Sequence, residues 1–409
     1  KKGYKEVEVD VSGRELKTLR KLPPESGNNL ILTLDVKIQE ELEKLMTGTA
    51  EQNMNGSVVV MKVQTGEIIA ITSKPSFDPN KFAAGISSQN WKALVTDEWH
   101  PLQNRSIHGQ YPPGSTYKIV TALAGLEEGV IKPDTSIFCP GHFKLGRGRY
   151  RCWKKSGHGF MNLHDALVQS CDVYFYTIGH RLGIDTIAKY AKRSGLGRPT
   201  RLGLSREKKG LVPTTQWKLL NKNEPWQLGE TISASIGQGF NLVTPIQQVI
   251  LMAAVANRGI LLKPYLVKRI EGPEGQLRQE FFPEIIGQIG VDPDHLEQVR
   301  KALRDVVNSA RGTGKKSRLK NIIVSGKTGT AQVVRMKSNE ELEKGEVIPV
   351  KYRDHAWFVA FAPYEKPVIA VAIIVEHGGH GGATAGPIAG KIFKKYFNLY
   401  PPSSSAQTL

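Results

Sequence analysis

Long hydrophobic runs are missing from this chain of 409 residues. No stretch approaches the roughly 18 consecutive apolar residues that a membrane-spanning helix needs. The opening sequence, Lys1-Lys2-Gly3-Tyr4-Lys5, also lacks the apolar core of a secretory signal. The chain begins as if inside a domain, so we expect a piece of a longer protein whose localisation signal lies outside it. Its 40% hydrophobic content is nevertheless enough to bury a large core.

Acidic residues are also scarce, since 38 Asp and Glu face 56 Lys and Arg and leave a net charge of +18. The basic residues are spread along the chain, without the aromatic and basic pattern of an RNA-recognition motif and without zinc-finger spacing. Nucleic acid is therefore not an expected partner. A diffuse positive field suits an anionic membrane surface or a carboxylate-rich polymer equally well.

Apolar strand patterns occur at both ends of the chain, with a helical block between them. The strand candidates are residues 30–34, 57–63, 67–72, 264–270, 322–334, 356–362 and 368–375. Helical periodicity predicts helices over residues 35–46, 115–129, 162–170, 172–182, 185–192, 245–256, 292–309 and 388–396. The stretch between residues 130 and 160 has no clear periodicity. Strands from both ends of the chain predict an α+β fold whose sheet is assembled from the termini.

The chain is expected to contain one large domain with short flanking segments. Residues 1–29 are charged and interrupted by Pro23-Pro24, as expected for the end of an upstream module and its linker. Residues 30–400 form the large domain. Residues 401–409 are polar and are predicted to be a disordered tail.

A candidate nucleophile lies in Ser115-Thr116-Tyr117-Lys118, which follows Tyr111-Pro112-Pro113-Gly114 and opens an apolar helical run. A serine and a lysine three apart on a helix share one face, so the Lys118 amine can take the proton of the Ser115 hydroxyl. The preceding prolines predict that the helix begins near Ser115, which places the hydroxyl at a helix N-terminus. Two further Ser-x-x-Lys pairs lie in polar stretches and are predicted to be solvated surface: Ser205/Lys208 and Ser317/Lys320.

A second candidate motif, Lys327-Thr328-Gly329-Thr330, lies within the strand predicted over residues 322–334. The preceding Gly326 is typical of the end of a phosphate-binding P-loop, but Asn321 stands where that loop requires its first glycine. On an edge strand, a glycine lets a substrate backbone come close while Lys and Thr side chains hold a carboxylate. The alternative is a polar edge strand with a protective lysine.

A third motif, Ser170-Cys171-Asp172, lies between two predicted helices and between the other two motifs in sequence. Ser-x-x-Lys, Ser-x-Asn/Asp and Lys-Thr-Gly in this order resemble the signature of the penicillin-recognising acyl-serine transferases. Over about residues 30–400 the chain resembles the class B penicillin-binding proteins of the elongation type. Further matching stretches carry this resemblance: Leu32-Thr33-Leu34-Asp35, Trp153-Lys154-Lys155, Gly157-His158-Gly159, Gly237-Gln238-Gly239, Thr244-Pro245-Ile246-Gln247 and Gly329-Thr330-Ala331-Gln332.

The resemblance implies a penicillin-binding transpeptidase fold, in which an antiparallel sheet is flanked by helices and an all-helical subdomain carries the nucleophile. It implies that Ser115 attacks the carbonyl between the terminal D-alanines of a peptidoglycan stem peptide, with Lys118 as the general base. Ser170 and Asp172 then position Lys118 and relay protons. Lys327 holds this relay through Ser170.

By the same resemblance, Thr328 and Thr330 bind the terminal carboxylate of the donor peptide, and Gly329 lets its backbone approach. The backbone N–H groups of Ser115 and Thr330 form the oxyanion hole. No cofactor is needed for this chemistry. Asp172 stands where most of the superfamily has Asn, and the elongation-type members share this departure.

The implied function is a peptidoglycan D,D-transpeptidase of cell elongation that β-lactams inhibit covalently. Two alternatives stay open: a serine β-lactamase, which needs a deacylating carboxylate or modified lysine near Ser115, and a β-lactam sensor, which binds without turnover. The implied partners are stem peptides and lipid II-derived glycan, β-lactams, a glycan-polymerising membrane protein and elongation scaffold proteins. Relatives of this type carry a membrane anchor and a pedestal domain. Residues 1–29 are therefore expected to be a pedestal remnant, and residues 30–400 to face the periplasm from the inner membrane.

Three cysteines fall within residues 139–171, with a histidine among them. Cys139, Cys152, His158 and Cys171 offer three thiolates and an imidazole, which is the donor set of a closed structural zinc site. His142 is a rival fourth ligand. The alternatives are a Cys139–Cys152 disulfide with one spare thiol, or three unrelated buried cysteines. Because Cys171 lies inside the third motif, a metal at this place ties the irregular loop to that motif.

Overall fold

The computed structural model describes residues 2–48, 54–83, 85–333 and 349–402. Its strands pair only in antiparallel fashion. In chain order, the strands of the described residues are β1 (Tyr4–Val9), β2 (Glu15–Leu22), β3 (Asn29–Leu32), β4 (Gly56–Lys62), β5 (Ile68–Lys74), β6 (Ile137–Cys139), β7 (His142–Leu145), β8 (Gly148–Arg151), β9 (Gly159–Met161), β10 (Ile260–Leu262), β11 (Val267–Glu271), β12 (Leu277–Glu280), β13 (Ile285–Gln288), β14 (Ser325–Ala331), β15 (His355–Ala362) and β16 (Ile369–Val375).

Most helices lie between β5 and β14 in the sequence. In chain order, the helices of the described residues are α1 (Val36–Met46), α2 (Asn80–Ala83), α3 (Ser88–Thr96), α4 (Arg105–His108), α5 (Lys118–Glu127), α6 (Leu163–Val168), α7 (Asp172–Leu182), α8 (Ile184–Arg193), α9 (Thr215–Lys222), α10 (Leu228–Ala234), α11 (Pro245–Ala256), α12 (Pro293–Asn308) and α13 (Gly381–Leu399). Short 3-10 turns span Gly114–Tyr117, Lys315–Ser317 and Val350–Tyr352.

A five-stranded sheet lies at the centre, with the strand order β14-β15-β16-β4-β5. Two of its strands come from the first part of the chain and three from the last, so the prediction of a sheet assembled from both ends is confirmed. β15 and β16, both predicted as strands, pair with each other as a hairpin. β14 is the outermost strand of this sheet, and its Thr328 and Gly329 pair with Phe358 and Trp357 of β15. The Lys-Thr-Gly motif therefore lies at a sheet edge, as predicted.

The sheet is buried on both faces. Val59 and Val359 belong to the core that the sheet shares with the helical block, whereas Val60 and Phe358 pack with α1 and α13. Successive residues of a strand point to opposite faces. Burial of both faces explains why these strands appear in the sequence as continuous apolar runs rather than alternating ones.

The helix α5 lies at the centre of the helical block. Its residues from Lys118 to Leu126 are all buried, and it packs against α7, α8 and α12. A helix that is apolar all round belongs in a core, so the segment that follows Ser115 is anchored in a rigid interior. The predicted fold, an antiparallel sheet flanked by helices with a helical subdomain carrying the candidate nucleophile, is confirmed. Within the described residues, no helix is both long and apolar enough to span a membrane.

Helix starts and strand ends differ from the predictions near the first two motifs. Ser115 lies in the 3-10 turn Gly114–Tyr117, and the α-helix begins only at Lys118, because Gly114 has a left-handed φ of 55°. The strand predicted over residues 322–334 is only Ser325–Ala331, the stretch that pairs with β15, and Val334 lies outside the described residues. The last helix begins at Gly381 rather than at residue 388.

Several stretches without a predicted element are ordered. The segment from residue 130 to 160 forms two small antiparallel pairs, β6 with β9 and β7 with β8. β1 and β2 form a hairpin within residues 1–29, and α9 and α10 were not predicted either. The assignment of residues 1–29 to a pedestal remnant stays a prediction. Residues 403–409 of the predicted tail lie outside the described part of the chain.

Candidate active site

The turn that carries Ser115 is packed closely against the edge strand β14. A Cβ atom on Gly114 would lie 2.4 Å from the carbonyl oxygen of Thr330, so a side chain there would push the two elements apart. The N–H of Gly114 donates to the carbonyl of Gly237 at 3.0 Å, which fixes the turn on its other side. Ser115 itself is half-buried, whereas Thr116 and Lys118 are buried. The turn thus presents the serine to the solvent beside β14.

The ammonium of Lys118 is buried and has three partners. Its Nζ donates to the Ser170 carbonyl at 2.9 Å, to the Ser170 Oγ at 3.2 Å and to the Asp172 Oδ1 at 2.6 Å. A buried cation requires such partners, because desolvation without them is very costly. The first and third motifs are therefore joined directly, as predicted.

Ser170 lies between α6 and α7 with a left-handed φ of 56°. For a residue with a Cβ atom this conformation costs roughly 1 kcal/mol, and such strain is found most often at functional sites. The strained backbone places the Ser170 hydroxyl between two lysines. Its Oγ lies 3.2 Å from the Lys118 Nζ and 2.9 Å from the Lys327 Nζ. Ser170 thus joins all three motifs.

Burial shifts the protonation of the groups around Ser170. It lowers the pKa of Lys327 well below its usual range, and the nearby Lys118 charge lowers it further. Burial also raises the pKa of Asp172, although Lys118 opposes this shift. Perturbed titratable groups of this kind are typical of acid–base sites. The arrangement can therefore move a proton between two amines through a hydroxyl.

The remaining residues of β14 line the edge facing the turn. The hydroxyls of Thr328 and Thr313 are 2.9 Å apart, and the Thr330 carbonyl accepts a hydrogen bond from the Gln238 side chain at 3.0 Å. Gly329 is packed against α13, where a Cβ on Gly381 would lie 2.4 Å from the Gly329 carbonyl oxygen. Thr313 and Gln238 were not predicted as site residues. The sequence signal for Gln238 is its place in the stretch Gly237-Gln238-Gly239, which carries part of the family resemblance.

A buried ion pair supports the Ser115 turn, and no local sequence pattern indicates it. The Arg105 guanidinium is 3% exposed and its Nε donates to the Glu376 Oε1 at 3.0 Å. The Tyr111 hydroxyl donates to the same oxygen at 2.6 Å. The Trp357 indole N–H donates to the Pro112 carbonyl at 3.0 Å. These bonds hold the chain just before Ser115 against the sheet.

The other two Ser-x-x-Lys pairs have no comparable surroundings. Ser205 and Lys208 are exposed, as predicted. The prediction is wrong for Ser317, which is buried, because its hydroxyl donates to the Gly314 carbonyl at 2.7 Å within a 3-10 turn. Lys320 is exposed. Ser317 therefore has a local structural role.

Cys139, Cys152, His158 and Cys171 come together in one cluster. Their ligand atoms all lie within 4.8 Å of one another, and the three cysteines are free thiols. The His158 Nδ1 lies 3.6 Å from the Cys139 Sγ and 3.5 Å from the Cys152 Sγ. His142, the rival ligand, instead accepts a hydrogen bond at its Nδ1 from Arg149. The predicted donor set is thus assembled, and neither the disulfide nor the scattered alternative is found.

The cysteine cluster contacts the third motif through hydrogen bonds. The backbone N–H of Asp172 donates to the Cys152 Sγ at 3.4 Å, and the Trp153 N–H donates to the Asp172 Oδ2 at 2.9 Å. The hydrogen bond from the Cys171 thiol lowers the pKa of Cys152, and the same bond together with burial raises the pKa of Cys171. The cysteine cluster is therefore tied to the third motif at Asp172.

The family of the penicillin-binding protein transpeptidase domain matches residues 56–397. The chain is 37% identical over 406 residues to the peptidoglycan D,D-transpeptidase MrdA of Haemophilus influenzae. The aligned stretch covers 98% of this chain and 61% of that protein. The protein of the same name from Escherichia coli K12 is 37% identical over 398 residues, or 96% of this chain and 61% of that one. The chain thus spans about three fifths of the length of these curated relatives.

Solved structures agree with this match. Penicillin-binding protein 2 of Pseudomonas aeruginosa in complex with WCK 5153 has a TM-score of 0.80 at 36% identity, over 92% of this chain and 77% of that one. The complex between penicillin-binding protein 2 and MreC from Helicobacter pylori has a TM-score of 0.82 at 34% identity, over 97% and 69%. The resemblance inferred from the three motifs is therefore confirmed, and the chain belongs to the family of penicillin-binding protein transpeptidase domains.

Proposed function

We propose that this domain is a peptidoglycan D,D-transpeptidase of cell elongation that acts through a serine acyl-enzyme. The observation that carries the proposal is the position of the Ser170 hydroxyl between the Lys118 and Lys327 amines, beside the Ser115 turn. Three motifs that are distant in sequence meet there. In sequence order they supply the nucleophile, the proton relay and the strand that binds the substrate. The names of the curated relatives support the same reaction.

The reaction proceeds in two transfers of one acyl group. The Lys118 ammonium first gives a proton through the Ser170 hydroxyl to the neutral Lys327 amine. The Ser115 Oγ then attacks the carbonyl carbon between the terminal D-alanines of a donor stem, and its proton passes to Lys118. The C–N bond breaks, and the proton goes to the nitrogen of the departing D-alanine. An amine of a second stem then attacks the ester, gives up a proton and forms the cross-link. That proton returns to the Ser115 oxygen.

The lysine pair and Ser170 serve the proton transfers. Because burial and the neighbouring charge lower the pKa of Lys327, its neutral form can accept a proton through the Ser170 hydroxyl. Asp172 holds the Lys118 amine in place from the other side. Lys118 is the base in this proposal, and Ser170 and Asp172 position it.

The edge of β14 binds the donor peptide. Thr328 and Thr330 hold the terminal carboxylate by hydrogen bonds, and the donor backbone pairs with the strand edge. Gly329 keeps β14 close to the Ser115 turn, because a Cβ atom on it would lie 3.0 Å from the Pro113 carbonyl oxygen. The backbone N–H groups of Ser115 and Thr330 donate to the oxyanion of the tetrahedral intermediate. The close approach of Gly114 to the Thr330 carbonyl supports this role, because it brings the two donors to one place.

A β-lactam tests the nucleophile directly, since it acylates the serine without a second substrate. Ser115→Ala is expected to abolish covalent labelling by a fluorescent penicillin, and the intact mass of the wild type rises by one penicillin on the peptide that contains Ser115. Ser205→Ala is the matched control, because Ser205 lies in an exposed Ser-x-x-Lys pair. Full labelling of the Ser115 variant would refute the assignment.

Turnover separates this function from the two alternatives. A serine β-lactamase hydrolyses nitrocefin continuously, whereas a transpeptidase or a sensor gives one burst. Cross-linking of polymerised lipid II then distinguishes a transpeptidase from a sensor, which makes no cross-link. A burst followed by cross-linked product supports the proposal, and steady nitrocefin hydrolysis contradicts it.

We also propose that the cysteine cluster holds a structural zinc ion. In a tetrahedral zinc site, bonds of about 2.3 Å to sulfur and 2.05 Å to nitrogen place the two ligand atoms roughly 3.6 Å apart. The distances of 3.6 and 3.5 Å from the His158 Nδ1 to the Cys139 and Cys152 sulfurs fit this spacing. Cys171 completes the donor set. The ion would supply a cross-link for the loop and no reaction chemistry.

The proposed setting of the domain is the outer face of the inner membrane, in the periplasm, where peptidoglycan is made. The partners in this proposal are lipid II-derived glycan, a glycan-polymerising membrane protein and an elongation scaffold protein. A complex of MreC with penicillin-binding protein 2 of H. pylori supports the scaffold partner. Co-purification of the full-length protein with MreC from detergent extracts tests it.

A further inference from the structure

A surface of unpaired positive charge lies beside the candidate active site. Residues 142–160 contain six Lys and Arg and no Asp or Glu. All six are exposed, and the ion pairs of the described residues include none of them. They are Lys144, Arg147, Arg149, Arg151, Lys154 and Lys155.

The part of this surface next to the catalytic groups is held rigidly. The Trp153 side chain is 60% exposed, yet its indole N–H donates to the carbonyls of Gln169 and Ser170, both at 3.1 Å. Its backbone N–H donates to the Asp172 carboxylate. Lys154 and Lys155 follow Trp153 directly. Because Trp153 is bonded to the Ser170 loop, it holds the backbone of the two lysines near that loop. We call Arg151, Trp153, Lys154 and Lys155 the basic turn.

The basic turn lies on the side of the site that the donor does not use. The Ser170 loop faces β14, because the Ser170 hydroxyl meets Lys327 of that strand. A donor peptide paired with β14 occupies the strand edge. The second peptide must bring its amine to the Ser115 ester, and the side of the Ser170 loop is available for it.

We propose that the basic turn binds the acceptor stem peptide through that peptide's carboxylates. The inference rests on the proposed function and adds a subsite to it. A stem peptide carries free carboxylates besides its reactive amine. The negative charge of these carboxylates complements the positive charge of the unpaired Lys and Arg side chains. An exposed cation attracts such a group from a distance and holds it with little cost of desolvation. The exposed face of Trp153 offers an apolar contact between the cations and the serine.

The test compares two acceptors on the acylated enzyme. One is a stem-type peptide amine with free carboxylates, and the other is the same peptide with these carboxylates amidated. A soluble D-Ala-D-Ala donor supplies the acyl group, and the acceptor KM and the ratio of transfer to hydrolysis are measured. Lys154→Gln/Lys155→Gln is expected to raise the KM of the free-carboxylate acceptor about three- to tenfold and to leave that of the amidated acceptor near its original value.

Lys391→Gln/Lys394→Gln is the matched control, since these two exposed lysines of α13 carry the same charge. It is expected to change neither acceptor KM. The preference of the wild type for the free-carboxylate acceptor is expected to shrink as salt concentration rises. Penicillin acylation, which needs no acceptor, is measured in parallel. Its loss in the Lys154/Lys155 variant would overturn the proposal, because the substitutions would then disturb the Ser170 loop and not acceptor binding.

Other results overturn the inference in distinguishable ways. If the wild type transfers its acyl group equally well to both acceptors, the subsite is refuted while the proposed function stands. If no amine is acylated at all, both are refuted. If the Lys154/Lys155 variant loses binding to phosphatidylglycerol vesicles but keeps its acceptor KM, the basic turn binds a membrane surface instead.

Discussion

The backbone N–H of Asp172 donates a hydrogen bond to the Sγ of Cys152 over 3.4 Å. The carboxylate of the same Asp172 accepts hydrogen bonds from the Trp153 N–H at 2.9 Å and from the Lys118 Nζ at 2.6 Å. Asp172 is therefore held by the cysteine cluster through its backbone and holds the candidate base through its side chain. A disturbance of the cluster reaches Lys118 through one residue.

Removal of zinc is expected to weaken both stability and acylation. Purified protein that has met no chelator should contain about one zinc per chain, the stoichiometry of a single closed site. A strong chelator should lower the thermal midpoint and slow penicillin acylation, because the loop that holds Asp172 loses its cross-link. Added zinc should restore both. Metal analysis by plasma emission and stopped-flow acylation measure these changes.

Two variants separate the cluster from its surroundings. Cys139→Ser removes a proposed ligand that does not touch Asp172, and it should reproduce the effect of the chelator. His142→Ala removes the rival histidine, which lies outside the cluster, and should keep the zinc. Zinc well below one equivalent in the wild type would exclude the proposed site.

The buried pair of Lys118 and Asp172 is expected to show strong coupling. Lys118→Met leaves the Asp172 carboxylate buried without its cation, which should cost about 3–5 kcal/mol of stability. The double variant Lys118→Met/Asp172→Asn removes both charges and should recover about 2 kcal/mol of that loss. Urea unfolding of the four proteins of this cycle gives the coupling energy. A double variant less stable than Lys118→Met would contradict the pairing.

The Arg105–Glu376 pair is expected to stabilise the Ser115 turn. Glu376→Ala leaves the Arg105 guanidinium buried without an anion and should cost about 3–5 kcal/mol. Tyr111→Phe removes one hydrogen bond to the same carboxylate and should cost about 1.5–3 kcal/mol. Both should slow acylation below the unfolding temperature, since Tyr111 and Pro112 lead into the turn. Urea unfolding and penicillin kinetics measure the two effects, and an unaltered stability of Glu376→Ala would show that the pair has no such role.

The central sheet and the three motifs could be predicted from the sequence because each leaves a local signal. Strands buried on both faces are apolar runs, and the order of the three motifs singles out Ser115 among three Ser-x-x-Lys pairs. The helix predicted over residues 35–46 likewise has a local signal, because Asp35 caps α1 by accepting from the N–H groups of Lys37 and Ile38. These features depend on neighbours in sequence or on fixed spacing.

The features that were missed depend on contacts between distant residues. Arg105 and Glu376 are separated by 271 positions, and no local pattern connects them. The strands between residues 130 and 160 are three or four residues long and lack periodicity, so tertiary contacts around the cysteine cluster determine them. The donor set of the cluster could be predicted because cysteine and histidine are identifiable by residue type alone.

Lys327 is expected to make stability depend on pH. The unfolded chain keeps the Lys327 proton up to about pH 10.4, whereas burial lowers the pKa of Lys327 in the native state. Between these two pKa values the unfolded state binds more protons, so the free energy of unfolding rises with pH. Lys327→Met binds no proton in either state. Its stability relative to the wild type should therefore fall as pH rises, by at most about 1.4 kcal/mol per pH unit.

Urea unfolding at several values between about pH 7 and pH 10 measures this difference. Lys391→Met is the control, because Lys391 is exposed on α13, and its difference from the wild type should stay constant over the same range. Titrating groups that do not interact with Lys327 are common to all three proteins and cancel in the comparison. If the stability of Lys327→Met relative to the wild type stays constant or rises with pH, Lys327 keeps its proton in the native state. The relay through Ser170 would then lack its neutral amine.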